Sequence, residues 1–187
     1  MLLYLANGEN EIRIANVLRQ IKSGDISEVA RGEPLVAIGA FCLMPNHFHI
    51  LIKQLVEGGI SRFMLKLQTD YSMYFNRKYD RTGSLFQGPF RSTLVDSDRY
   101  LAYLYSYIHL NPAKLKDPLW KERPGSQSHI MEFVESYPYS SYGDYLSGKH
   151  VIVNPAQFPT YFSARSEVTS HISDWLRMGP FDQVEQG

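Results

Sequence analysis

The chain has 187 residues, of which 44% are hydrophobic and 20% are charged, the proportions of a globular domain rather than of a disordered, collagen-like or coiled-coil chain. Lys and Arg number 19 together, as do Asp and Glu, and this balance alone argues against a nucleic-acid binder, which usually carries a basic excess. The single cysteine, Cys42, excludes a disulfide framework and a multi-cysteine zinc site and favours a reducing compartment, the cytoplasm.

The first third of the chain predicts one helix and two strands. Apolar side chains repeat at intervals of three and four between residues 14 and 21, which predicts an amphipathic helix near residues 10–22. Residues 34–52 carry no charged side chain and are long enough to cross a bilayer. Pro45-Asn46-His47 interrupts this stretch, so two strands, Leu35–Leu43 and Phe48–Lys53, fit better than a membrane helix. The apolar residues 1–6 are too few for a signal peptide.

The middle third predicts two helices joined by a loop. Ser61 can cap a helix that runs to about Tyr79. Its apolar positions are Met64, Leu67, Tyr71, Met73, Tyr74 and Phe75. Residues 80–84 predict a turn, and residues 85–95 predict a loop followed by a short strand. Asp96 or Ser97 caps the next helix, which ends at Asn111-Pro112 because a residue before proline is pushed out of the helical region.

Charge is unevenly distributed along the chain. Residues 53–112 carry eight basic and five acidic side chains, whereas residues 113–187 carry seven and nine. The total of zero therefore hides a basic middle and an acidic tail. The tail predicts looser structure with short helices, one of them at about Ser166–Arg177.

His47-Phe48-His49 is the sharpest local feature. Side chains two apart on a strand point to the same side, so both imidazoles project together while Phe48 and Ile50 point to the core. Such a pair can hold a metal ion. A pair of half-exposed strand histidines has the same spacing, so the pattern alone leaves both interpretations open.

The second feature lies on the helix that precedes Pro112. Tyr103, Tyr107 and Asn111 are spaced four apart and share one face. The opposite, core-facing stripe consists of Leu101, Leu104, Tyr105 and Ile108. Aromatic residues at helical spacing usually serve packing and an asparagine at a helix end usually serves as a cap. Their combination with the histidine pair gives Tyr107 and Asn111 more weight.

Together these segments resemble a known family. MPNHFHILI at residues 44–52, followed about sixty residues later by YIHLNP at residues 107–112, is similar to the single-tyrosine HUH transposases of the insertion-sequence 200-like type, and most to their REP-associated branch. The segments GSLFQ at 83–87, FRS at 90–92, DRYL at 98–101 and YPYSSY at 137–142 also match. The resemblance covers about residues 10–146. It implies a catalytic domain over residues 1–146, followed by a tail with a short helix over 147–187.

The resemblance implies a role for each residue of the paired motifs. His47 and His49 would hold a divalent metal ion, Mg²⁺ or Mn²⁺, with Asn111 as a further ligand. Tyr107 would be the nucleophile that cuts one DNA strand, leaving a 5′-phosphotyrosine and a free 3′-OH. Because the link conserves the energy of the phosphodiester, the same site can rejoin strands.

The substrate implied by the resemblance is single-stranded DNA that folds into hairpins. Candidate phosphate contacts in the basic middle are Arg62, Lys66, Arg77, Lys78, Arg81 and Arg91. Phe86 and Phe90 could stack on bases or pack under their own loop. A solvated helix face would explain each cation separately. No membrane partner is expected, and the resemblance leaves open whether the chain acts as a monomer or as a homodimer.

The implied fold is α+β, a ferredoxin-like or RRM-like antiparallel sheet with helices on one face. Relatives begin with a strand upstream of the first helix, and we expect this chain to lack it, which would expose hydrogen-bonding groups in the sheet.

Two alternatives to an active transposase follow. One is a catalytically inactive, truncated remnant that still binds DNA hairpins, and the other is a metal-dependent hydrolase that acts on another substrate.

Overall fold

The computed structural model describes residues 1–10, 17, 25–120, 122, 127–159, 167, 169–170 and 172. Two compact units share the chain, and each takes part of a β-hairpin. The first unit comprises Met1–Ala37 and Ile52–Thr93, and the second comprises Ile38–Leu51 and Leu94–Gly187.

The hairpin consists of β1 (Val36–Leu43) and β2 (Phe48–Gln54), which form a two-stranded antiparallel sheet packed against helices. The Met44 N–H donates to the His47 carbonyl at 2.8 Å and closes the turn. Both strands therefore agree with the prediction to within one residue at each end. This result also settles the uncharged stretch 34–52, which is not a membrane helix. None of the helices in the described ranges has the length and apolar character that a membrane span requires.

The first unit is built on helix α2 (Gly59–Lys78), against which the short helix α1 (Leu2–Ala6) packs. A 3-10 turn, Ile26–Glu28, lies between them in the chain. Asn7 is buried and bonds in both directions to Val36, with its Nδ2 donating to the carbonyl and its Oδ1 accepting the N–H at 2.8 and 2.9 Å. This side chain therefore satisfies backbone groups of β1 that a neighbouring strand would otherwise pair.

Helix α2 begins three residues earlier than predicted. Its N-cap is Gly58, in the left-handed region at φ 65°, and not Ser61. A Cβ on Gly59 would lie against the Leu35 carbonyl oxygen, so the helix approaches the chain before β1 too closely for any other residue. The left-handed backbone of Gly58 and the close packing of Gly59, rather than a side-chain cap, decide where the helix starts.

The second unit contains helices α3 (Asp98–Leu110), α4 (Ala113–Lys116), α5 (Gln127–Ser136) and α6 (Tyr142–Ser147), and the 3-10 turn Pro155–Gln157. Ser97 caps α3 by accepting the Tyr100 N–H at 3.3 Å, and the helix ends before Pro112 as predicted. The reason given for that end is wrong, because Asn111 keeps helical backbone angles, φ -53° and ψ -39°. Residues 139–141 run along β1, where the Leu43 N–H donates to the Tyr139 carbonyl and the Ser141 N–H to the Phe41 carbonyl. Buried side chains of this unit include Tyr105, Ile108, Trp120, Ile130, Val134 and Tyr142.

Two predictions are wrong. The described residues 79–97 contain no strand, so the predicted short strand before α3 is absent. Leu94 is 85% exposed there, because no neighbouring strand offers it an apolar surface. The second wrong prediction is that Phe48 and Ile50 point to the core, because both are only half-buried. Leu51, two residues after His49 and so on the same face of β2, is 5% exposed. Leu51, rather than Phe48 or Ile50, is therefore the buried side chain of this strand.

Two predicted helices fall largely outside the described ranges. Of the helix predicted near 10–22, only Asn10 and Val17 are described, and Val17 is helical and buried. Of the helix predicted at about 166–177, residues 167, 169, 170 and 172 are described, and all four are helical.

Candidate active site

The candidate site lies in the second unit, where the start of β2 meets α3. The rings of His47 and His49 have centroids 5.1 Å apart and stand edge to face. The ring of Tyr107, on α3, lies 5.3 Å from His49 in a similar arrangement. Three side chains from two distant segments of the sequence therefore form one cluster.

Burial and neighbouring charge set the protonation of His49. The ring is half-buried, and desolvation lowers its pKa to about 4, with smaller contributions from the positive charges of His47 and Lys114. His49 is therefore neutral at pH 7 and keeps a nitrogen lone pair. A metal ion requires a histidine in this form.

His47 precedes the strand and is exposed. Its Nδ1 lies 2.7 Å from Oδ1 of Asn46. Because an amide oxygen can only accept, the ring nitrogen must be the donor, which leaves Nε2 without a proton in the neutral ring. A hydrogen bond from the other ring nitrogen fixes the orientation of a metal-binding histidine.

Asn111 supplies the third polar group, one helical turn after Tyr107. Its Nδ2 donates to the Tyr107 carbonyl at 2.8 Å, and the side chain is 3% exposed. A carbonyl can only accept, so the amide cannot be flipped and Oδ1 points away from it. Within the described ranges Oδ1 is buried without a hydrogen-bond partner. A buried oxygen in this state is costly unless it binds a ligand.

The polar groups available here are the two imidazoles and, one helical turn after Tyr107, the Asn111 amide. The described part of the chain holds no group of three or more His, Cys, Asp and Glu side chains that could bind a metal ion. Two nitrogens and an amide oxygen suit a divalent ion that keeps other positions for phosphate and water. The unsatisfied Oδ1 of Asn111 and the neutral His49 fit such an ion.

A line of tyrosines extends from the cluster along α3. Tyr103 stacks on Tyr107 with centroids 5.6 Å apart, and Tyr100 stacks on Tyr103 at 6.1 Å. The predicted shared face of Tyr103, Tyr107 and Asn111 therefore exists. Tyr105 and Ile108, on the opposite stripe, are buried as predicted, whereas Leu101 and Leu104 are half-exposed.

The predicted phosphate contacts all belong to the first unit, on α2 and the loop that follows it. All are exposed except Lys66, which is half-buried. The ammonium of Lys66 donates to the carbonyls of Gly8 and Asn10, the latter at 2.8 Å. Lys66 therefore ties the N-terminal segment to α2.

Sequence reasoning missed two features of the site. Lys114, on α4, lies close enough to lower the pKa of His49, and its position two residues after Pro112 gave no signal. The second is a buried bond between Nε2 of His109 and Oγ of Ser141 at 2.7 Å. Burial lowers the pKa of His109 to about 3. Ser141 lies within YPYSSY, so its segment was noted but its partner was not.

Comparison with known proteins supports the resemblance. The family model described as "Transposase IS200 like" matches residues 7–111. This range includes the histidine pair, Tyr107 and Asn111. A search of curated proteins and a search of solved structures each found no match to the chain.

Proposed function

Because the chain belongs to the IS200-like transposase family, whose members act on DNA, we propose that it is a metal-dependent nickase and strand transferase for single-stranded hairpin DNA. The observation that carries the proposal is the contact between His49 and Tyr107, whose rings lie 5.3 Å apart although the residues are nearly sixty positions apart in the sequence. A tyrosine that served only to pack the core would not require a histidine of the HFH motif beside its ring. The motifs noted along the chain favour the REP-associated branch of the family.

The metal ion would be held by His47, His49 and Asn111. When bound, Mg²⁺ or Mn²⁺ would polarise a non-bridging phosphate oxygen and offset the negative charge that develops during attack. Asn46 orients His47 for this task through the contact with Nδ1. The Nδ2 bond to the Tyr107 carbonyl ties the amide ligand to the nucleophile's own turn of helix.

Tyr107 is the proposed nucleophile. Its hydroxyl oxygen forms a bond to the phosphorus, the bond from phosphorus to the 3′ oxygen breaks, and the 5′ side of the cut stays on the tyrosine. The phenolic hydrogen leaves as a proton and the departing 3′ oxygen takes one up. One phosphodiester replaces another, so a 3′-OH can reverse the reaction without an energy source.

Each unit carries candidate phosphate contacts of its own. Lys114 is a candidate phosphate contact beside the histidine pair, because its positive charge is close enough to His49 to lower the pKa of that ring. Arg62, Lys66, Arg77, Lys78, Arg81 and Arg91 are the candidates in the first unit. Replacing Lys66 would also release the N-terminal segment that it holds.

The remaining parts of the proposal concern architecture. We assign the chain to the ferredoxin-like fold of its family, with the catalytic domain over residues 1–146 and a tail over 147–187. A nuclease of prokaryotic DNA would act in the cytoplasm at the nucleoid, in keeping with the single reduced Cys42. Action as a monomer or as a homodimer is compatible with the proposal.

The test is formation of a covalent protein–DNA adduct. The chain is incubated with a hairpin-containing single strand labelled at its 3′ end, with Mg²⁺ or Mn²⁺, and separated on a denaturing gel. We expect an adduct that Tyr107→Phe and EDTA both abolish. Tyr100→Phe, on the same helix, is the matched control and should retain the adduct.

Three results would contradict the proposal. An adduct that persists in Tyr107→Phe would mean another nucleophile. Hairpin binding without any adduct would indicate an inactive remnant. Metal-dependent turnover that ignores Tyr107 would indicate a hydrolase.

A further inference from the structure

The apolar stripe of α2 leaves the core halfway along the helix. Met64 and Leu67 are 4% and 7% exposed, whereas Tyr71, Tyr74 and Tyr79 on the same side are 37%, 40% and 55% exposed. A helical stripe normally stays buried along its whole length. The second half of α2 therefore presents large aromatic side chains to solvent.

These rings pack against one another in an ordered row. Centroids lie 6.1 Å apart between Phe86 and Tyr71, 6.0 Å between Tyr71 and Phe75, and 4.5 Å between Phe75 and Tyr79. Rings at these separations stabilise each other and lose little freedom when a further ring stacks on them.

The chain turns back sharply after α2 and brings its loop to this row. Asp80 adopts φ 50°, an uncommon value for a residue other than glycine, and the Arg81 N–H donates to the Asn76 carbonyl at 2.8 Å. Nδ2 of Asn76 in turn donates to the Gly83 carbonyl at 2.9 Å. These contacts hold the loop from which Phe86 reaches the helix.

Two cations are interleaved with the rings. Nζ of Lys78 lies 5.7 Å from the Tyr74 centroid and 5.3 Å from that of Tyr79, and Cζ of Arg81 lies 5.6 Å from that of Phe75. Residues 59–93 hold six Lys and Arg against two acidic residues. The aromatic patch, as we name this surface, consists of Tyr71, Tyr74, Phe75, Lys78, Tyr79, Arg81 and Phe86.

We propose that the aromatic patch binds an unpaired segment of single-stranded DNA, with bases stacked on its tyrosines and phosphates held by Lys78 and Arg81. Rings that alternate with cations match the alternation of bases and phosphates along a strand. A duplex keeps its base faces covered and would meet only the cations. A second copy of the chain would bring its own Lys78 and Arg81 against the same charges, which disfavours self-association.

The proposal rests on the proposed function for the identity of the strand, but its test does not require cleavage. Binding is measured by fluorescence anisotropy in EDTA, with an oligothymidylate and with an abasic strand of equal length. The two probes carry the same phosphates and differ only in bases. We expect the unaltered chain to favour oligothymidylate by roughly fivefold or more, the gain from stacking one base.

The variant Tyr74→Leu with Tyr79→Leu removes the two rings that flank Lys78 and keeps apolar side chains. It should reduce the affinity for oligothymidylate at least about fivefold and leave the abasic strand unchanged. Tyr139→Leu is the matched control, because Tyr139 is 59% exposed and lies outside the aromatic patch. It should bind both probes like the unaltered chain.

A second variant tests the cations separately, so that the proposal does not depend on the folding of the first. Lys78→Gln with Arg81→Gln should lower the slope of log affinity against log salt by about 1.4, because each phosphate contact on a single strand contributes about 0.7. The preference for bases over abasic sites should persist in this variant.

Some outcomes would overturn the proposal. Equal binding of the two probes by the unaltered chain would do so, as would unchanged binding by the tyrosine variant. A tyrosine variant that alters only the oligomeric state would show that the aromatic patch covers a second copy. The proposed function fails separately, if the unaltered chain forms no adduct that depends on Tyr107. If the adduct forms normally and the tyrosine variant binds the strand as before, only the proposal for the aromatic patch is refuted.

Discussion

Ser141→Ala is the substitution for which the structure gives the most definite effect. Oγ of Ser141 is fully buried and accepts the Phe41 N–H at 2.9 Å. It also lies 2.7 Å from Nε2 of His109, whose pKa is lowered to about 3 by burial. Oγ also donates to the Phe41 carbonyl at 3.2 Å. The hydroxyl thus joins β1 to α3 within the second unit.

The magnitude follows from the two groups that the alanine would leave without a partner. A buried donor or acceptor left unsatisfied costs about 1–3 kcal/mol. For the Phe41 N–H and His109 Nε2 together we expect the free energy of unfolding to fall by about 2–6 kcal/mol. That is a large part of the about 5–15 kcal/mol that stabilises a typical domain.

Urea denaturation followed by circular dichroism measures this effect. With an m-value of about 2 kcal/mol per molar, the midpoint should fall by about 1–3 M. Ser136→Ala is the matched control, since Ser136 is exposed and its Oγ donates only within its own helix, to the Phe133 carbonyl at 3.0 Å. If both variants lost less than about 0.5 kcal/mol, the proposed hydrogen-bond network would be refuted.

Three further predictions concern the active site and the core. Asn111→Ala removes the unpaired Oδ1 and should raise the Mn²⁺ concentration needed for half-maximal adduct formation about tenfold or more, as a metal titration would show. Lys114→Gln should slow adduct formation several-fold and raise the pKa of His49, which proton NMR of the ring can follow; an unchanged pKa would place the lysine elsewhere. Burial raises the pKa of Cys42 from 9.0 to about 12, so its stabilisation is intact below pH 9 and is lost above it as the unfolded thiol ionises, by about 1.4 kcal/mol per pH unit. Cys42→Ala should reduce the loss between about pH 9 and 10 in urea midpoints measured at successive pH values, and a loss of unchanged size would contradict the prediction.

The family assignment changes how the balanced net charge is interpreted. The charge balance argued against DNA as a substrate, whereas the family match over residues 7–111 supports it. The basic side chains that the total conceals lie in the segment between the two motifs. Net charge is a property of the whole chain, while binding depends on where the charges lie.

Local features were predictable because neighbours in the sequence decide them. The two strands follow from an uncharged stretch interrupted by Pro45-Asn46-His47, and α3 begins at the Ser97 cap and ends before Pro112. The same holds for the shared side of His47 and His49, which follows from the strand period of two. The identity of the metal-site and nucleophile candidates rests on such short-range patterns and on the resemblance that they carry.

Periodicity also showed that α2 has an apolar stripe, but only the tertiary structure decided which part of that stripe is buried. Met64 and Leu67 meet the first unit's core, whereas Tyr71 and Tyr79 extend beyond it. Burial depends on what lies opposite a side chain, and the spacing of residues within one helix contains no information about that surface. The exposed rings of the aromatic patch could therefore not be told from core residues in advance.

The same reason explains the other features that the sequence left undetermined. The sequence determined which chemical groups are available to this protein: two histidines, a tyrosine and an amide in a recognisable order. The tertiary structure decided which of them meet, by placing Tyr107 against His49 and Ser141 against His109. It also decided that Gly58 rather than Ser61 starts α2, because the Leu35 carbonyl lies against Gly59. Contacts between residues far apart in the chain depend on the packing of whole elements, and no local pattern records them.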